Sequence, residues 1–148
     1  MRFRFAIPVL VLGLLQPLAA MAGNEAVTHV SPADFEDTAF AVESAITDHG
    51  LRIEAVNHVG DMLERTKEDV GGEKTIFAHA DIYNFCSAKV SRSVMEADPL
   101  NLVHCPYRIF VMQVHGSEEV IIGYPKMPEG KMQEVEELLE SIVKAALE

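Results

Sequence analysis

The chain has 148 residues, 49% of them hydrophobic, with 23 acidic against 12 basic side chains and a formal net charge of −11. Such a charge repels phosphate backbones and anionic lipid heads, which argues against nucleic-acid and membrane-surface roles. The length suits one domain with a real core, and there is no internal repeat and no low-complexity tract.

Residues 1–22 read as a secretory signal peptide. Arg2 and Arg4 precede an apolar run from Phe5 through Leu15, and Ala20-Met21-Ala22 supplies a small-residue cleavage site. The run is interrupted by Gly13 and Pro17 and is short for a bilayer span. Cleavage after Ala22 leaves Gly23 at the start of a periplasmic or secreted chain of 126 residues carrying about −13, with no membrane attachment expected. No cysteine follows the apolar run, so no lipid anchor is expected either.

Residues 23–30 read as a flexible arm, followed by a single domain over 31–148. Ser31-Pro32-Ala33-Asp34 supplies an N-cap, a proline at the first helical position and an acid, and Phe35, Ala39, Val42 and Ile46 follow at helical spacing until Gly50. Leu51, Ile53, Ala55 and Val59 alternate with Arg52, Glu54 and His58 in a first strand. A second helix fits Asp61 to Val70, stopped by Gly71-Gly72, and Ile76, Ala78, Ala80 and Ile82 alternate with Phe77, His79, Asp81 and Tyr83 in a second strand. A third helix begins at Cys86 and closes at Asp98-Pro99. Tyr107 to Val114 and Glu119 to Tyr124 form a hairpin about His115-Gly116-Ser117. From Lys131, the positions Met132, Val135, Leu138, Leu139, Ile142, Val143 and Ala146 make the clearest amphipathic helix of the chain. This order predicts a layered α+β domain, with helices covering one face of a mixed four-stranded sheet.

Several of these segments resemble a known family. Gly50-Leu51, Asn57-His58-Val59-Gly60, Met62-Leu63-Glu64-Arg65-Thr66, Phe85-Cys86-Ser87-Ala88, His104-Cys105-Pro106-Tyr107 and Val120-Ile121-Ile122-Gly123-Tyr124 are similar to the bacterial domain-of-unknown-function 302 family in its exported form. The resemblance runs from about Phe35 to Val143. It implies a compact α/β domain and marks Cys86 and Cys105 as positions of interest, with no catalytic assignment.

These are the only two cysteines, and their chemistry has three readings. In an oxidising compartment they form a disulfide, which restricts the unfolded chain by about 3 kcal/mol. Alternatively they stay reduced and bind a soft metal ion or a haem iron, with His104, His58 or Met62 completing the shell. In the third reading they are separate thiols with no joint role. Cys86 at the start of a helix would have its thiolate stabilised by the dipole and could act as an attacking thiol in redox or sulfur chemistry. The two cysteines are separated by 18 residues and have no CxxC spacing, so a thioredoxin-type centre is not supported.

The remaining histidines and methionines are dispersed, and most of the methionines suit apolar faces. His79, Asp81 and Tyr83 share one side of the second strand, and Arg52, Glu54 and His58 one side of the first. Together they suggest a solvent-facing sheet surface, a ligand surface or a dimer interface. No GxSxG elbow, phosphate-cradling glycine loop or HExxH is present. The sequence therefore points to a non-catalytic binding or accessory protein for a small ligand or another exported protein. Its site is expected around Cys86, Cys105, His104 and Tyr107, with no cofactor required.

Overall fold

The computed structural model describes residues 26–148, so the signal peptide expected over residues 1–22 and the start of the expected arm lie outside the described residues. The elements are β1 (Ala26–Val30), α1 (Phe35–Asp48), β2 (Arg52–His58), α2 (Val59–Thr66), β3 (Phe77–Cys86), α3 (Ala88–Ala97), a 3-10 helix (Pro99–His104), β4 (Tyr107–Val114), β5 (Val120–Pro125) and α4 (Gln133–Ala146). The strands form one sheet in the order β1-β5-β4-β3-β2, and every neighbouring pair is antiparallel. The α+β class matches expectation; the count of four strands and the mixed sheet do not.

The fifth strand is the segment expected to be a flexible arm. Residues 26–30 pair along β5, with Thr28 opposite Gly123. Glycine is what admits them: a Cβ at Gly123 would lie 2.5 Å from the Val27 carbonyl oxygen and 2.7 Å from the tip of the Phe110 ring. The alternation of five residues was too short to show a strand whose partner lies nearly a hundred residues away.

Helix α1 begins three residues later than the Ser31 cap implied. The Asp34 carboxylate accepts the Asp37 backbone N–H at 2.9 Å and caps the helix. Ser31 is buried instead, its hydroxyl sharing a 2.7 Å hydrogen bond with that of Thr38 and accepting the Ala33 N–H, so it braces the turn before the helix. Helix α2 ends at Thr66, short of the expected Val70, and α3 starts after Ser87, whose side chain accepts the Val90 N–H. Cys86 therefore closes β3 rather than opening α3.

One face of the sheet is covered by α1 and α4. Val42 and Ile46 from α1 and Val135, Leu139, Ile142 and Val143 from α4 meet Tyr83, Phe85, Ile109, Val111, Ile122 and Tyr124 from the strands in a single apolar cluster. The stripe read on the last helix is the stripe that is buried. Helix α2 stands at the margin of the opposite face, close against β3, where a Cβ on Gly60 would come within 2.8 Å of the Ala80 backbone nitrogen. The expectation that all helices lie on one face is corrected to this extent.

The sidedness of the first two long strands also differs from expectation. A bulge between Ile53 and Ala55 shifts the register, so Ile53 and Val56 turn inward and Arg52 and His58 do not share one surface. Tyr83, expected on a polar surface with His79 and Asp81, is fully buried in the core, while Ile76 is exposed. His79 stacks on the Phe35 ring with centroids 4.7 Å apart. Tyrosine carries enough apolar ring to be driven into a core, which overrode a polarity reading of β3.

Candidate functional site

The end of β3 and the 3-10 helix bring the two cysteines together. Cys86 is the last residue of β3, and Cys105 follows the 3-10 helix just before β4, joined to Pro106 by a cis peptide bond. Their sulfurs are 3.2 Å apart, with both residues partly buried and both thiols free. Burial, and then the adjoining Cys105 thiol, push the Cys86 thiol up to about 12. Cys86 is thus a thiol at neutral pH, contrary to the thiolate expected at a helix N-terminus. Ser87 occupies the cap, and desolvation outweighs any help from the helix end.

Of the neighbours proposed for the pair, Tyr107 lies beside it, its backbone hydrogen-bonded to the Cys86 thiol, but no metal shell forms there. Among the described residues no cluster of three or more His, Cys, Asp or Glu side chains has the geometry to hold a metal ion, so His104 does not complete a Cys86–Cys105 shell. Tyr107 is buried in the core, its hydroxyl accepting a hydrogen bond from Ser91 at 3.1 Å, and burial raises its pKa. It braces α3 against β4 rather than facing a ligand.

His58 and Met62 belong to a different place. The face of the sheet turned away from α1 and α4 carries a groove of two adjoining hollows that share Val59 and Ile82. The larger, about 610 Å³, is lined mainly by apolar groups including Ala80, Phe110, Met112 and Pro125. The second, about 560 Å³, is lined by Asn57, His58, Met62, Asn84 and Arg108. His58 Nδ1 is 2.8 Å from the Asp81 carboxylate, and this hydrogen bond is the main cause of a raised His58 pKa. Asn84 Nδ2 donates to Asn57 Oδ1 at 2.7 Å. Cys86 is two residues beyond Asn84 on the same side of β3, so the cysteine pair borders the polar end of the groove.

Sequence reasoning overlooked Asn84, Arg108, Phe110 and Met112. The signal was available in β4, where Tyr107, Ile109 and Val111 at one parity and Phe110 and Met112 at the other are all apolar. Apolar residues at both parities depart from the in-out alternation of a half-exposed sheet and mark a strand that is apolar on both faces.

The matching family model, described as domain of unknown function DUF302, spans residues 27–147. The chain belongs to the DUF302 family. A crystal structure of an uncharacterized conserved DUF302 protein from Bacillus stearothermophilus has the same fold, with a TM-score of 0.58 at 17% sequence identity, over 84% of this chain and 88% of that one. No curated protein matches this DUF302 chain in sequence. None of the helices among its described residues is long and apolar enough to cross a membrane.

Proposed function

We propose that this DUF302 domain is an exported, non-catalytic binding protein whose ligand seat is the face of its sheet turned away from α1 and α4. One observation carries the reading: Ile82, Phe110 and Met112 line a groove that α2 only borders, although the opposite face of the same strands is packed under α1 and α4. A groove of this size falls in the range of small-molecule sites, about 300–1,000 Å³. The neighbouring chemistry favours binding over catalysis, because Cys86, the nearest nucleophile, is held as a thiol. Titration with the neutral fluorophore Nile red tests the seat. One dye per chain should bind saturably, and Met112→Asp should abolish this while leaving the circular dichroism spectrum unchanged. Unsaturable binding, or full binding by the variant, would place the seat elsewhere.

The 3.2 Å sulfur contact favours a second role, that of a clasp. In the exported protein Cys86 and Cys105 would lose two protons and two electrons to a disulfide-bearing donor, forming one S–S bond as the donor becomes a dithiol. The clasp would tie the end of β3 to the approach to β4 beside the polar end of the groove. Intact-mass analysis of exported protein should find it lighter by two hydrogen atoms than the reduced form, and starting at Gly23. Cys86→Ser, Cys105→Ser and the double variant should each lose about 3 kcal/mol of stability, far from additively. Two freely titrating thiols in exported protein would remove the clasp and leave the groove untouched.

A further inference from the structure

The groove has two chemically distinct ends, and the difference specifies what fits it. Among the strand positions that face away from α1 and α4, the bulge residue Glu54 apart, Arg52 and Arg108 are the only charged side chains. They stand out on a chain with 23 acidic and 12 basic residues. Arg108 forms no ion pair among the described residues, whose six pairs all lie elsewhere. Its neighbours across the sheet add donors. Asn57 Oδ1 is taken by Asn84, which leaves the Asn57 amide N–H groups for an acceptor. His58 and Asp81, at the other parity of their strands, each border one of the two hollows, and their mutual 2.8 Å contact engages the Asp81 carboxylate. Beyond Ile82 the groove is mainly apolar, over Ala80, Phe110 and Met112, with Asp81 as its one charged lining residue.

We propose that the groove binds a single-chain amphiphilic carboxylate, its head held by Arg108 and Asn57 and its hydrocarbon tail lying over Ile82, Phe110 and Met112. The inference deepens the binding role proposed above and is independent of the cysteine clasp. A carboxylate matches the planar fork of one guanidinium through two parallel hydrogen bonds. The apolar hollow gives the tail a surface to dehydrate, so neither end alone explains the arrangement. A second copy of this chain is a poorer occupant, because a two-fold contact pairs this face with itself, and its strand positions offer only Glu54 as an acid to meet Arg52 and Arg108. A bilayer is also a poorer one, since the acidic remainder of the chain is repelled by anionic headgroups.

Isothermal titration of the exported protein with dodecanoate and with dodecan-1-ol, both below their aggregation limits, separates head from tail. Dodecanoate should bind saturably and at least about tenfold more tightly than the alcohol, the order expected for a charge-assisted bidentate contact. Arg108→Gln, at an exposed position, should fold as the parent does and reduce dodecanoate affinity to that of the alcohol. Met112→Asp should weaken both ligands. Equal affinity for the carboxylate and the alcohol would overturn the ligand class, as would parental dodecanoate binding by Arg108→Gln. Saturable binding of neither ligand would overturn the binding role together with it. Sedimentation of the protein with phosphatidylglycerol vesicles in the absence of dodecanoate binding would assign the face to membranes instead, and dimerisation abolished by Met112→Asp without ligand binding would assign it to self-association.

Discussion

On β4, Ile109 and Val111 are completely buried under the helices, whereas Phe110 and Met112, one residue along, are only partly buried on the other side of the same strand. The two faces have similar composition at these positions and opposite fates. The difference arises from connectivity: α1 and α4 both return to one face, and only α2 reaches the margin of the other. Side chains on the covered face are locked by packing and carry stability, while those on the open face are only partly buried, which is what the proposed ligand seat draws on.

The comparison can be broken by substitution. Leu139→Ala on the covered face should cost about 2–5 kcal/mol, read as a fall in the denaturation midpoint, because it leaves a cavity among fully buried neighbours. Gly123→Ala on the open face should cost about 1–3 kcal/mol, since the new methyl group must displace the Val27 carbonyl or the Phe110 ring. Its effect should fall mainly on β1, visible as faster amide exchange over residues 26–30.

At the rim between the faces, Glu140 on α4 accepts the Tyr124 hydroxyl at 2.7 Å, with His29 from β1 at 3.2 Å and Lys144 at 3.1 Å around it. The Tyr124 hydrogen bond is the largest of the effects that hold its carboxyl below the usual range. A lowered pKa stabilises the fold above the ordinary carboxylate value, about pH 4.3, and the contribution is lost as pH falls through the lowered one. Glu140→Gln should therefore cost about 1 kcal/mol near neutrality, and its midpoint should converge with that of the parent in acid. The smallest effect belongs to Met112→Ala, less than about 1 kcal/mol, because its side chain is only partly buried. A loss matching that of Leu139→Ala would show that the open face is as much a core as the covered one.

Elements with strong local signals were legible in the residues themselves. The stripe Val135, Leu139, Ile142, Val143 repeats at helical spacing over a long run, and the β4–β5 hairpin is marked by a glycine turn, with Gly116 at a φ of 81°. The disulfide and shared-metal readings of Cys86 and Cys105 required the two to lie close, and the 3.2 Å sulfur contact meets that requirement. What escaped depended on contacts distant in sequence. Residues 26–30 become a strand only because β5 offers an edge, the polarity of β3 was misread because the helices cover the side that carries Tyr83, a bulge in β2 parted Arg52 from His58, and Tyr107 looked like a ligand contact while serving the core.

The sequence by itself determined the class of the fold, the helix stripe that fills the core and the family, because each rests on periodicity or on motifs compact enough to read locally. Only the tertiary structure decided which face of the sheet would be covered. It also decided that Asn57, Asn84 and Arg108, drawn from three strands, would meet at one end of an apolar groove. Strand order and register set those neighbours, and they follow from the packing of the whole domain rather than from any segment of it.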